Sequence, residues 1–213
     1  MRFYQSPSGP FRHLLPELVW CLPGEDRKIL LTFDDGPDPV STPVILDILA
    51  EKNASAIFFC LGRNVERYPL LYDRIVSEGH IVGNHTYSHL DGWRTGVDEY
   101  LRDVEQAGRF IESDLFRPPF GRIRPSQIRR LKSKFRIMMW SWMFLDFSGV
   151  ERTGSRRIPH EKYLYPGSIL VFHDSQKAAP ITRLLLKDLL EQIDRYHLKA
   201  GLPVWSIPHE NCC

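Results

Sequence analysis

Cysteine is scarce and unpatterned in this chain of 213 residues. Cys21, Cys60, Cys212 and Cys213 contain no Cys-x-x-Cys, and the last two are adjacent. That argues against a cysteine zinc module and offers no disulfide framework, so free thiols in a reducing compartment are expected, with a Cys21–Cys60 bridge left open. An excess of charge of one sign is also lacking. Lys and Arg number 28 against 26 Asp and Glu, a net charge of +2, so no broad basic field points to nucleic acid. No apolar run approaches the roughly 20 residues a membrane helix needs. The first stretch, "MRFYQSPSGPFRHLLPELVW", has no basic end, apolar core and small-residue cleavage site in series. A cytoplasmic location is therefore expected, or an extracytoplasmic one if a leader has been trimmed. Repeats and low-complexity linkers are missing too.

What remains is ordinary for a globular domain: 43% hydrophobic and 25% charged residues, on a length that fits one domain with a full core. Short apolar runs alternate with amphipathic stretches. "KILLTF" reads as a strand, and "TPVILDILAEKN" as the helix after it, with Thr42 as cap and Pro43 in the first turn. "SAIFFCL", "HIVGNH", "RIMMWSWM", "GSILVFHD" and "PVWSI" read as further strands. "YPLLYDRIVSEG", closed by Gly79, "GVDEYLRDVEQAGRFIES", "RPSQIRRLKSKF" and "ITRLLLKDLLEQIDRYHLKAG" read as helices, the last with Leu185, Leu186, Leu189, Ile193 and Tyr196 on one face. Strand then helix, about seven times, predicts an α/β fold with a parallel sheet, and solidly apolar strands imply cover on both faces. An open doubly wound sheet and a barrel are the two architectures left. In both, chemistry gathers at the C-terminal ends of the strands.

Those ends carry Asp34 and Asp35 after "KILLTF", His85 and His89 after "HIVGN", and Arg117 in "RPPFGR". Asp146 follows "RIMMWSWMFL", and His173 and Asp174 follow "GSILVF". Taken singly each has a bland reading. Asp35 suits a turn or cap, the histidines suit a surface, Arg117 suits a loop, and His173-Asp174 suits a cap on the following segment. Strands must surface there, but chance rarely fills most exits with metal-ligand and acid–base residue types. Two imidazoles four apart can face one point if the segment turns like a helix. One added carboxylate gives a three-ligand set with open positions, suited to zinc acting on a carbonyl, and iron(II) uses the same ligand count. The second carboxylate favours hydrolysis, which needs a base beside the attacking water. Adjacent Asp34 and Asp35 can divide those tasks, and their repulsion is tolerable with a dication at one and Arg117 at the other.

"TFDDGP", "HTYSH", "RPPFG" and "LVFHD", in that order and at these spacings, resemble the polysaccharide deacetylase family, carbohydrate esterase family 4, also called the NodB-homology domain. The resemblance covers roughly residues 28–207. It implies a distorted (β/α) barrel of about seven parallel strands, one divalent metal, zinc first, and removal of acetyl groups from N-acetylated saccharides of the chitin or peptidoglycan kind. It further implies Asp35, His85 and His89 as metal ligands, Asp34 as catalytic base and His173 as general acid. Asp146 would orient His173 and keep it charged, and Arg117 would tune Asp34. The Phe120 N–H would help hold the oxyanion, its side chain forming part of the acetyl pocket. Two residues depart from the family pattern: Phe147 stands where Trp is usual and Val171 where Leu is frequent, both at the acetyl-methyl pocket.

The expected division is an N-terminal arm over 1–27 packed on a catalytic domain over 28–213, with a basic loop over 148–167 whose charges are most simply a solvated face. The expected partner is an acetylated saccharide, with no nucleic acid and no membrane. O-acetyl ester or cyclic-amide hydrolysis on the same scaffold, and non-catalytic saccharide binding, are the competing readings. The last would normally require a lost base or ligand, and none is lost.

Overall fold

The computed structural model describes residues 15–22, 27–148 and 161–203. Among these described residues nine strands form one sheet: β1 (Leu18–Val19), β2 (Lys28–Asp34), β3 (Ala56–Cys60), β4 (Ile81–Asn84), β5 (Leu115–Phe116), β6 (Arg136–Met138), β7 (Trp142–Met143), β8 (Ile169–His173) and β9 (Lys199–Ala200). Six helices accompany them: α1 (Thr42–Glu51), α2 (Gly62–Arg67), α3 (Pro69–Ser77), α4 (Val97–Ala107), α5 (Pro125–Leu131) and α6 (Ala179–Arg195). The spatial order is β1-β6-β5-β4-β3-β2-β8-β7, every named pairing is parallel, and β9 pairs with β2 beside this path.

Alternation along β2 explains its position near the middle of that order. Ile29, Leu31 and Phe33 face a core shared with Ile45 and Leu49 of α1 and Leu185, Leu186 and Leu189 of α6. Leu30 faces the opposite core with Ile57, Phe59, Ile169 and Val171. Both faces are covered, which is why the strand reads as apolar throughout. An aromatic row crosses the strands on the α1/α6 side. Phe33 stacks on Phe58 at 5.0 Å and on Phe172 at 5.6 Å, and Phe172 on Phe144 at 4.0 Å. All four rings are buried, and such pairs contribute about 0.5–1.5 kcal/mol each beyond their area.

Several local expectations are corrected. "RIMMWSWM" is two strands: β6 pairs with β5 and β1, while β7 pairs with β8 at the far end of the order. A continuous apolar run hides that crossing, because both halves are buried. Ser41, not Thr42, occupies the N-cap position of α1, without a capping bond from its side chain. The turn before it is closed by Asp38 Oδ1, which accepts from Val40 and Ser41 N–H. Helix α2, in the polar "GRNVER", had no periodic signal. Tyr196 lies past the end of α6 and is exposed, whereas Leu185, Leu186, Leu189 and Ile193 are buried. The last described strand is β9; the expected strand "PVWSI" lies almost wholly outside the described residues, as do Cys212, Cys213, the first 14 residues and the core of the basic loop. Cys21 and Cys60 are not bridged to each other. No described helix is long and apolar enough to cross a membrane.

Candidate metal and catalytic centre

Asp34 is the last residue of β2 and lies buried beside Arg117. Arg117 Nη1 donates to Asp34 Oδ1 at 2.7 Å and to Thr32 Oγ1 at 2.7 Å, and Nη2 and Nε donate to the carbonyls of Met139 and Met138. The guanidinium lies 4.1 Å over the Phe59 ring. A charge with no exposure at all is tolerable because each face of the fork has a partner.

The chain then turns sharply. Asp35 sits at φ 81°, in the region where side chains are strained. Its N–H donates to Phe59 O, and its carbonyl accepts from Asn64 Nδ2 at 2.7 Å. Gly36 follows because nothing larger fits: a Cβ there would lie 2.1 Å from Asp174 Oδ2. The loop thereby aims Asp35 at the two histidines. Asp35 Oδ1 lies 3.1 Å from His89 Nε2 and 3.6 Å from His85 Nε2.

The histidines do not share a helix. Residues 85–89 form a loop with Thr86 and His89 at positive φ, fixed by Thr86 N–H on Asn84 Oδ1 and His89 N–H on Thr86 Oγ1. Asp103 of α4 accepts from the N–H groups of Tyr87 and Ser88. Convergence of the imidazoles comes from this loop, and the helical geometry expected from a spacing of four is replaced by it. His85 Nδ1 donates to Arg117 O at 2.7 Å, which leaves the Nε2 lone pair facing Asp35. Burial pushes His85 down to about 4, so the imidazole is neutral at pH 7. Burial would raise Asp35, but His89 beside it and the fields of His173 and His85 outweigh it and hold the carboxyl well below the usual range.

These three residues can hold a divalent metal. Their ligand atoms all lie within 4.8 Å of one another. Asp35 Oδ1 is buried without a satisfying hydrogen bond, an arrangement that costs free energy unless a cation completes it.

Across the loop, His173 ends β8. Its Nδ1 lies 2.7 Å from Asp146 Oδ1, and its N–H donates to Asp146 Oδ2 at 2.8 Å. Thr182 of α6 donates to the same Oδ2, so the buried carboxylate is fully engaged. Burial works against charge on His173, but Asp146 beside it prevails and raises the imidazole to about 9. Phe147 meets the His173 ring edge-on at 4.6 Å. Val171 lies two residues before His173 on the same strand, wholly buried. Phe120, half exposed at φ 59°, meets the His89 ring at 4.6 Å. The turn's own bonds use the N–H groups of Gly121 and Arg122, the two residues that follow Phe120.

At the sequence level Asp174 stands at a strand exit and, in its bland reading, suits a cap. It is buried beneath Gly36, accepts from Thr42 Oγ1 at 2.6 Å, and donates its N–H to Asp34 O. Burial pushes its carboxyl up to about 7. Asn64, Thr32 and Thr182 likewise support the centre without a motif to announce them. Their tasks depend on neighbours far away in the chain.

A family model described as polysaccharide deacetylase matches residues 22–138. A peptidoglycan-N-acetylglucosamine deacetylase of Bacillus cereus is 35% identical over 161 residues, 72% of this chain but 58% of that protein, so the chain spans little more than half of that relative's length. A chitooligosaccharide deacetylase of Rhizobium leguminosarum bv. trifolii is 33% identical over 79% of this chain and 81% of its own. Among solved structures, a peptidoglycan N-acetylglucosamine deacetylase bound to 4-naphthalen-1-yl-N-oxidanyl-benzamide superposes with a TM-score of 0.80 at 30% identity, over 92% of this chain and 96% of that one. With a parallel sheet curled into the same barrel-like form and the motif residues converging at one end of it, the chain belongs to the polysaccharide deacetylase family.

Proposed function

We propose that the protein removes acetyl groups from N-acetylated saccharides of the peptidoglycan or chitooligosaccharide kind, using one divalent metal at Asp35, His85 and His89. The single observation that carries this reading is the convergence of that ligand set with two charge-paired groups, Asp34 on Arg117 and His173 on Asp146. The names of the relatives supply the substrate class. Zinc, the expected ion, would supply Lewis-acid polarisation of the amide carbonyl when bound.

The chain's own residues supply the proton chemistry. Arg117 occupies Asp34 Oδ1, which leaves Oδ2 to take a proton from the attacking water. The water oxygen bonds to the acetyl carbon as that proton leaves. His173 is held through Nδ1 by Asp146, so Nε2 is the atom that delivers a proton to the amide nitrogen. The carbon–nitrogen bond then breaks, releasing acetate and the sugar amine. In this reading the Phe120 N–H donates to the oxyanion, and Phe120, Phe147 and Val171 line the acetyl pocket.

Acetate release by the zinc-loaded protein is the test, with N-acetylglucosamine oligomers, peptidoglycan fragments and acetylated xylan as parallel substrates. Release from the first two supports the reading. Release from xylan alone would replace it with ester hydrolysis, and release from none would leave saccharide binding.

A further inference from the structure

Two aromatic rings stand in solvent beside this centre, Trp93 at 54% exposure and Phe120 at 50%. Single exposed aromatics are common on protein surfaces. This pair differs because one cation bridges it: Arg122 Cζ lies 5.4 Å from the Trp93 ring and 5.6 Å from the Phe120 ring. Phe120 in turn meets His89 at 4.6 Å, so a line of Phe120, Arg122 and Trp93 leads away from a metal-ligand candidate.

The backbone under Trp93 is fixed far more firmly than an exposed loop requires. Asp91 Oδ1 accepts from Trp93 N–H, while the Asp91 carbonyl accepts from the Arg94 and Thr95 N–H groups. Gln127, wholly buried, donates to Gly92 O at 3.0 Å. Gly92 itself touches the neighbouring loop, where an added Cβ would lie 2.2 Å from Arg122 O. Arg124 donates to Trp93 O. Asp91 Oδ2 receives Arg122 Nη1 at 2.6 Å, which locks the bridging cation and meets its charge. A rigid frame that leaves its indole in water is organised in advance for a ligand.

We propose that Trp93, with Phe120 and Arg122, forms a subsite that stacks on a pyranose ring next to the one losing its acetyl group. This rests on the deacetylase reading above and specifies its substrate as an oligosaccharide of at least two rings. A pyranose has an apolar C–H face and polar edges, which suits an exposed indole with a guanidinium over its ring. Stacking, rather than ion pairing, holds the ring, because Arg122 is already committed to Asp91.

Two measurements test it. In the zinc-loaded protein acting on an N-acetylglucosamine tetramer, Trp93→Ala raises KM by about tenfold and leaves kcat nearly unchanged, the pattern of lost uniform binding. Trp93→Phe falls between, and added salt does not change the ratio. Equal KM in Trp93→Ala and wild type overturns the subsite. Separately, a glucosamine tetramer, which has no acetyl group to lose, is titrated into the wild-type protein while the Trp93 indole N–H resonance is followed, assigned through Trp93→Phe. A saturable shift supports the subsite, and no shift overturns it. If wild type releases no acetate from any oligomer, the deacetylase reading fails, and the resonance still decides the subsite.

Discussion

Arg117 serves Asp34 and His85 together: its guanidinium lies 2.7 Å from the Asp34 carboxylate, and its carbonyl oxygen accepts from His85 Nδ1 at 2.7 Å. One buried residue therefore fixes both a base candidate and the tautomer of a ligand candidate. Changes at either partner should be felt in stability as well as in turnover.

Asp34→Asn is expected to lower turnover by about 10²–10⁴, the usual share of a positioned acid–base group, with bound metal unchanged. Asn retains an acceptor for Arg117 but not its counter-charge, so its stability loss is smaller than that of Ala. Asp34→Ala leaves a buried guanidinium unpaired and should cost about 3–5 kcal/mol in denaturant unfolding. Near-normal turnover in a metal-loaded Asn variant would remove Asp34 from the role of base.

His85→Ala should empty the metal site, because the neutral Nε2 facing Asp35 is lost. Elemental analysis of wild type and variant, purified side by side, reads the metal per chain. Equal content in the two would exclude His85 as a ligand.

Asp146→Asn removes the charge that raises His173 to about 9. An acid must be protonated to act, so the wild-type kcat/KM profile should hold up to about pH 9 on its alkaline side. The variant should lose activity at a pH lower by more than about one unit, toward or below the ordinary histidine value of about 6.5. The stability that the pair contributes is fully present below about 6.5 and is lost as pH rises through about 9. An alkaline limb identical in the two proteins would count against the pairing.

Asp174→Asn tests the support under Gly36. A carboxyl raised from 3.8 to about 7 by burial holds its proton more tightly in the folded state, so ionisation weakens the fold as pH rises across that interval. Asn cannot ionise. The thermal midpoint of the variant relative to wild type should therefore climb between about pH 4 and 7 and then level off. A difference that stays flat with pH would show that the carboxyl does not titrate there.

Phe147→Trp should narrow acyl tolerance. Phe147 meets His173 edge-on, and a larger indole would occupy space that a longer acyl chain needs. Wild type is expected to accept propionyl within about tenfold of acetyl, since a methylene is worth roughly 0.8 kcal/mol. An unchanged ratio of kcat/KM values in the variant would show that Phe147 does not set the pocket.

The parallel sheet and the candidate residues were legible because polar types at the exits of apolar strands stand out against their surroundings. Asp34, His85, Arg117 and His173 are all of this kind. The break between β6 and β7 was illegible, since Met138 through Met143 stay apolar or buried while the chain changes edges. The loop that converges His85 and His89 depends on Asp103, a helix residue whose own neighbourhood looks like ordinary surface charge. Asp174 was visible, but its task was not: it is defined by Gly36 and Thr42, which share no local pattern with it.

Asp34 and His173 are register partners on β2 and β8. Neighbouring strands stand about 4.7–4.9 Å apart in the hydrogen-bonding direction. The sheet thus acts as a ruler between the proposed proton acceptor and the proposed proton donor. Its graduation is set by main-chain amides along both strands, so no hinge or lid has to bring the two groups together. A slip of one residue in this pairing would turn one of them to the opposite face, which ties the proposed proton transfer to the register of a single strand pair.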